Sequence, residues 1–163
     1  MDRRTFFLRL ALFAACFLPA EAAPNPRGRL EELYARSGSA AGIKFVSGML
    51  KHRAAGFQLY APDGSRVDLS LERERFRVLF ASATRVRFRA QISRLETGPS
   101  KVRAHVRQWL TIERVKPETR ELYTLVFRSR VVDDWIPHEG DWRLKTSYVL
   151  SQECVSEGPL NER

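Results

Sequence analysis

Cysteine is almost absent: Cys16 and Cys154 are the two in 163 residues. That excludes a disulfide scaffold and a zinc site built on cysteine. Histidine is nearly as scarce, and His52, His105 and His138 share no ligand spacing, so no metal centre is expected. Glycine-rich phosphate loops, dinucleotide fingerprints and the G-x-S-x-G nucleophile elbow are missing, and no cofactor is implied. Past the N-terminus, no apolar run reaches the roughly 18 residues of a membrane span. No period of about 20 to 50 residues marks a repeat architecture. What remains, 44% hydrophobic and 29% charged, is the composition of one ordinary globular domain. Acidic residues are the other shortage. Nineteen stand against 28 lysines and arginines, and the net charge of +9 demands a physical reason.

Residues 1–22 read as an address. Arg3, Arg4 and Arg9 lead into an apolar stretch from Leu10 to Ala20, and Ala20-Glu21-Ala22 places small residues where a signal peptidase needs them. The expectation is a signal peptide and an exported protein, periplasmic or secreted. Arg3-Arg4-Thr5-Phe6-Phe7 resembles a twin-arginine signal, while the same segment suits the general secretory route, and both stay open. Lipoprotein anchoring through Cys16 fits less well, because Phe13 suits that motif poorly and the apolar stretch runs on past the cysteine. Cleavage after Ala22 removes Arg3, Arg4, Arg9, Asp2 and Glu21 and leaves a net charge of +8. It also leaves Cys154 alone, as a free thiol or an intermolecular link. Residues 23–28 then form a flexible leader, 29–152 the domain and 153–163 a C-terminal tail.

Leu30, Leu33 and Tyr34 fall at helical spacing, with Glu31 and Glu32 in the first turn, until Ser37-Gly38-Ser39 interrupts. A second short helix carries Val46, Met49 and Leu50 and ends near Gly56. Phe57 to Tyr60 make a short strand before the Pro62-Asp63-Gly64 turn. Ser70 is placed to cap a third helix, with Phe76, Leu79, Phe80 and Ala83 on one face. From Thr84 the period falls to two. Val86, Phe88, Ala90 and Ile92 alternate with Arg85, Arg87, Arg89 and Gln91, and Val102, Ala104, Val106, Leu110 and Ile112 with Lys101, Arg103, His105 and Arg107. Tyr123, Leu125, Phe127 and Val131 then oppose Thr124, Val126, Arg128 and Arg130. A last strand sets Trp142, Leu144, Thr146, Tyr148 and Leu150 on one side. Long strands with one apolar face need helices laid on that face, so the fold class is α+β, with N-terminal helices on a strongly curved antiparallel sheet.

The order of these elements and the Pro62-Asp63-Gly64 turn resemble the nuclear transport factor 2-like superfamily. So does the closing stretch Asp133-Asp134-Trp135-Ile136-Pro137-His138-Glu139-Gly140-Asp141-Trp142-Arg143-Leu144, and the SnoaL-like bacterial members look most similar. The likeness covers residues 29–152. It implies a cone-shaped half-barrel with a pocket between helices and sheet, often in a homodimer. It implies no single reaction: members include isomerases, dehydratases, polyketide cyclases and binding domains without catalysis. Isomerase-like members place a carboxylate base at or near the first strand. Here Ala55 to Tyr60 contains none, and the next acid, Asp63, lies in the turn.

Strand parity picks out the inward candidates. The apolar face is interrupted by Gln108, Ser129, Thr146 and Tyr148, with Asp133 near the mouth. Proton transfer needs a titratable group held dry beside the reacting atom. Asp133 is the one charged candidate, no inward histidine is expected beside it, and Asp133-Asp134 reads as a solvated bulge or turn pair. Tyr60, Phe80, Gln108, Tyr123, Phe127, Asp133, Trp135, Trp142 and Tyr148 are the candidate pocket residues, the aromatic ones suiting a plain core equally well. The expected function is binding of a small apolar or amphipathic ligand in the cone, with no catalytic residue assigned. The alternative is a SnoaL-like or isomerase-like enzyme with a degenerate site, using Asp133 or Tyr148.

On the outward side, Arg85, Arg87, Arg89, Lys101, Arg103, Arg107, Arg128 and Arg130 leave the sheet together, and Glu113 and Glu121 screen only its ends. Like charges facing each other across paired strands destabilise a sheet. Two explanations stand: arginine stems covering a solvated face, or an anionic partner. Arg87, Arg89, Arg103, Arg107, Arg128 and Arg130 are the candidate anion-binding residues, for an anionic envelope polymer or headgroup. Nucleic acid is disfavoured, because export takes the chain away from most of it and no aromatic–basic stacking motif stands out. Any homodimer should pack through another surface.

Overall fold

Asn25 and Pro26 start the fold. The Asn25 side chain accepts a hydrogen bond from Arg27 N at 3.1 Å, and Pro26 takes a first-turn position where its missing N–H costs nothing. Helix α1 (Pro26–Gly42) therefore opens inside the expected leader and, against expectation, runs straight through Ser37-Gly38-Ser39. The serine hydroxyls donate back to Leu33 O at 3.1 Å and Ala35 O at 3.2 Å, so neither competes for a helix-ending conformation. Gly38 is where α1 meets the sheet, since a Cβ there would lie 2.8 Å from Phe88 O. With the earlier start, Glu31 and Glu32 lie beyond the first turn and pair with Arg27 and with Arg29 and Arg36. These elements come from a computed structural model that describes residues 25–157. The expected signal peptide, Cys16 and the last six residues lie outside the described residues.

Helix α2 (Val46–Met49) is a single turn, and strand β1 (Arg53–Tyr60) begins before Gly56, where a helix end was expected. The chain turns at Gly64, with φ +81°, into β2 (Arg66–Asp68). Asp68 caps α3 (Leu69–Ala81) in place of Ser70. It is the last extended residue, and its Oδ1 accepts from Leu71 N at 2.8 Å. Four long strands follow as an antiparallel meander: β3 (Arg85–Thr97), β4 (Val102–Val115), β5 (Leu122–His138) and β6 (Asp141–Glu157). Sheet order is β2-β1-β6-β5-β4-β3, and β1 runs parallel to β6. The β5–β6 hairpin turns on Glu139-Gly140, whose φ values of 49° and 77° match the strand twist.

Strand β6 breaks simple alternation. Its register against β5 shifts twice, leaving Lys145 and Leu150 as extra residues, and each shift reverses which side the following residues face. Ser147, Val149 and Gln152 consequently share the side of Leu144, whereas Thr146, Tyr148 and Leu150 leave it. The core divides in two. At one end α1 meets the sheet through Leu30, Leu33, Phe57, Val106, Trp135 and Leu144. At the other, α2 and α3 pack through Met49, Leu50, Phe80, Val86 and Ile112. Phe88 touches both clusters, and between them the helices and sheet stay apart. Among the described residues, no helix is long and apolar enough to cross a membrane.

Candidate functional site

The space between the two clusters is a cavity of about 280 Å³. Met49 of α2, Leu59 of β1, Phe76 and Leu79 of α3, and Phe88 and Leu110 of the sheet wall it. Alternate residues of a strand share a face, so β5 sends Phe127, Ser129, Val131, Asp133 and Trp135 into it in turn. Arg75 and Gln152 are exposed parts of the lining, and Asp133 is fully buried.

Two groups hold Asp133. The Tyr34 hydroxyl donates to Oδ2, and the Ser147 hydroxyl donates to Oδ1 at 2.6 Å. Trp135 Nε1 in turn donates to the Tyr34 hydroxyl oxygen at 3.2 Å, and the two rings meet edge to face at 5.4 Å. Loss of water around Asp133 raises its carboxyl to about 6, against the pull of Ser147, Tyr34 and Arg53 in the other direction. Burial and the Asp133 charge push the Tyr34 phenol well up, which keeps it a donor. Two of the roughly four lone-pair sites of the carboxylate are occupied, so acceptor capacity remains on a group that lines the cavity.

An ion pair shares this space. Arg53 Nη2 donates to Glu72 Oε1 at 2.7 Å, and Nε lies 2.6 Å from Oε2 without hydrogen-bond alignment. The Arg53 guanidinium also sits 4.9 Å over the Phe57 ring. His52 lines the cavity beside the pair, its Nδ1 buried without a partner, and burial together with Arg143 pushes its pKa down. His52 is therefore neutral at pH 7, Arg53 and Glu72 cancel, and ionised Asp133 sets the charge of the buried interior.

Gln108, Phe127, Asp133 and Trp135 line the cavity as the alternation indicates. Tyr60 and Tyr148 do not: their rings stack on each other at 5.2 Å, with Tyr148 opposite Val132 on the outward side. Phe80 belongs to the core under α3, Trp142 packs against the α1 cluster, and Tyr123 pairs with Arg114 beyond the cavity. The expectation of no inward histidine is corrected by His52. Asp133 and Asp134 are neither a solvated pair nor a dyad, because both are buried and alternation sends them to opposite faces. Tyr34, Arg53 and Glu72 were missed. They come from three elements with no spacing that joins them.

On the outer face, Asp134 takes Arg103 at 2.7 and 3.0 Å and Lys101 at 2.8 Å. Arg103 is thereby removed from the free cations, and its pairing also holds the Asp134 carboxyl down. Glu153 lies 3.6 Å from Arg128, and Glu113 3.9 Å from Arg85. Trp109, half-buried, stands between Arg89 and Arg128 in the cross-strand register, which supplies the aromatic neighbour that the sequence did not reveal. His105 pairs with Glu96 at 3.1 Å on this side, and Cys154 is exposed and unpaired.

No family model matches the sequence, and no curated protein matches it. The fold is similar to several solved structures. One is a Kribbella flavida protein, with TM-score 0.61 and 14% identity over 78% of this chain and 93% of that one. Another is a hexachlorocyclohexane dehydrochlorinase of LinA type 3 from Novosphingobium barchaimii, with TM-score 0.60 and 8% identity over 84% of this chain and 92% of that one. A third is a protein of unknown function with a cystatin-like fold from Nostoc punctiforme, with TM-score 0.53 and 18% identity over 76% of this chain and 88% of that one. At these identities the likeness shows the fold alone, an α+β cone of the cystatin-like, nuclear transport factor 2-like kind.

Proposed function

We propose that this is an exported cone protein that binds one small, largely apolar molecule and holds a hydrogen-bond-donating group of it against Asp133. The observation that carries this reading is a fully buried carboxylate, with acceptor capacity to spare, on the wall of an otherwise mainly apolar cavity. A buried charge is costly, and packing alone would be better served by an apolar side chain. The volume of about 280 Å³ lies just below the roughly 300–1,000 Å³ found for small-molecule sites, which suits a molecule of one or two ring systems. A hydroxyl or amine suits Asp133, whereas a ligand carboxylate meets a like charge. Export rests on the features of residues 1–22.

N-phenyl-1-naphthylamine, a neutral two-ring-system amine that brightens in apolar surroundings, tests the reading. Saturable enhancement is expected with the wild type. Leu110→Trp, which puts a bulky ring on the cavity wall, should abolish it. Asp133→Asn should weaken it by about tenfold, the scale of a hydrogen bond to a charged group. Full enhancement in Leu110→Trp would refute binding in the cone.

A second reading is favoured by one observation. A carboxyl at about 6, shielded from water, is matched to accepting a proton near neutral pH. This is the requirement of a SnoaL-like or isomerase-like enzyme with Asp133 as base, and a dehydrochlorinase is among the proteins of similar fold. Native mass spectrometry of gently purified protein would supply the molecule to test. Turnover that Asp133→Asn abolishes while binding survives selects the enzyme, and binding without turnover selects the carrier.

A further inference from the structure

The face of the sheet opposite the cavity carries a patch of arginine in which, among the described residues, Arg128 alone has an acid partner, Glu153. In register, Arg89, Trp109 and Arg128 form one cross-strand row over β3, β4 and β5. The next row holds Gln91, Arg107, Arg130 and Ser151, and the row on the other side begins with Arg87. Rows two residues apart lie about 7 Å from each other, and strands about 4.8 Å, so the patch covers roughly 14 by 10 Å. Shallow depressions flank Trp109, one lined by Arg87 and Arg89, the other by Arg107, Arg128 and Arg130 together with Glu153, which lies 3.6 Å from Arg128.

Edge protection accounts for part of this charge. Strand β3 ends the sheet, and arginines along it keep other strands from pairing there. It does not account for Arg107 and Arg130, which sit directly opposite each other on interior strands and repel. Further along the same face, Asp134 pairs with both Lys101 and Arg103, one negative charge between two cations. Among the described residues, no acid pairs with Arg87, Arg89, Arg107 or Arg130.

We infer that this patch binds a linear acidic polysaccharide, with guanidinium forks on its carboxylate or sulfate groups and the Trp109 ring under a sugar. An anion placed between Arg107 and Arg130 turns their repulsion into attraction, and guanidinium geometry suits such oxygens in pairs. The indole selects a polymer that carries rings as well as charge. Single-stranded nucleic acid also carries rings, but its binders offer successive aromatic platforms, whereas this patch offers one. The expected export also takes the chain toward envelope sugars. This inference is independent of the cavity.

Binding of polygalacturonate and of a twenty-residue oligothymidylate to the full chain, titrated against salt, tests it. The wild type should bind polygalacturonate, and Arg107→Gln with Arg130→Gln should weaken that binding at least about tenfold and flatten its salt dependence. The melting temperature of this double variant should hold or rise, since a like-charge contact is removed. Arg73→Gln with Arg77→Gln on exposed α3 removes the same charge and should change affinity by no more than about twofold. Equal losses in the two double variants would reduce the effect to net charge and overturn the site. Tighter binding of the oligothymidylate would overturn the choice of partner, and absence of polygalacturonate binding at low salt would overturn both.

Discussion

Asp133→Asn is the perturbation with the sharpest expected signature. The wild-type carboxyl stands at about 6 in the folded chain, against an ordinary value of 3.8. The folded state therefore binds the proton more tightly than the unfolded state. Its contribution to stability is fully present below about pH 4 and is lost as pH rises through about 6. The gap is worth about 3 kcal/mol in full, with about 1.4 kcal/mol of it falling between pH 5 and pH 8. Asparagine has nearly the same shape, cannot ionise, and can donate to a Ser147 or Tyr34 hydroxyl that rotates to accept. Its stability relative to wild type should therefore improve by about 1.4 kcal/mol from pH 5 to pH 8, with the slope steepest near pH 5 and about half as steep by pH 6. Urea unfolding across that range, followed by tryptophan emission, reads the difference directly. Titrations elsewhere in the fold are common to both proteins and cancel in it. A difference that stays flat, or one that favours the wild type as pH rises, would refute a desolvated carboxylate at this position.

Two further substitutions test the supports of the site. Tyr34→Phe removes a donor from Asp133 and the acceptor of Trp135 Nε1, both buried; it should cost about 2–3 kcal/mol at pH 7.5 and move the Asp133 midpoint above 6 in the same unfolding series. An unmoved midpoint would show that Tyr34 does not hold the carboxylate. Asp141 receives Arg29 Nε at 2.9 Å and Nη2 at 2.8 Å, ties the start of α1 to the β5–β6 turn, and is held down to about 2 mainly by that pair. Its folded value lies below the ordinary 3.8, so its contribution is present above about pH 4 and is lost as pH falls toward 2. With both side chains about a quarter exposed, Asp141→Asn should cost about 1 kcal/mol, or about 4 °C of melting temperature at pH 6, and only a small fraction of that at pH 2. Equal melting of variant and wild type at pH 6 would show the tie to be idle.

Alternation in β3, β4 and the middle of β5 was legible, because the residues from Val86 to Ile92, Val102 to Ile112 and Phe127 to Trp135 keep strict parity. The inward position of Asp133 followed from it. Its burial did not, since that depends on Tyr34, 99 residues away, coming down from α1. The departure in β6 has a local cause: the extra residues are Lys145 and Leu150, and no glycine or proline announces the bulges. Helix α1 failed as a prediction at Ser37-Gly38-Ser39 because propensity is a weak term there. Close packing of Gly38 on Phe88 outweighs it. On the outer face the arginines were legible, but their partners depend on register. Asp134 meets Arg103 and Glu153 meets Arg128 only after the strands are paired. Trp109 occupies an outward position where alternation expects a polar residue, so it did not stand out as part of a basic cluster.

The two faces are coupled by adjacent residues of one strand. A one-residue slip of β5 would bring Asp134 into the cavity and leave Asp133 among Lys101 and Arg103, since side chains alternate with a period of two. It would also separate Asp133 from Ser147 and Tyr34, and Asp134 from its cations. Each aspartate thus penalises the slip that would misplace the other. Asp134, which does not line the cavity, helps to hold Asp133 within it, while its paired cluster lies apart from Arg87, Arg89, Arg107 and Arg130. Among the described residues, charge is thereby divided by position: paired with an acid where it sets register, and without an acid partner where Arg107 faces Arg130. A solvated face that needed cations only for solubility would have no reason to concentrate them on opposing interior strands.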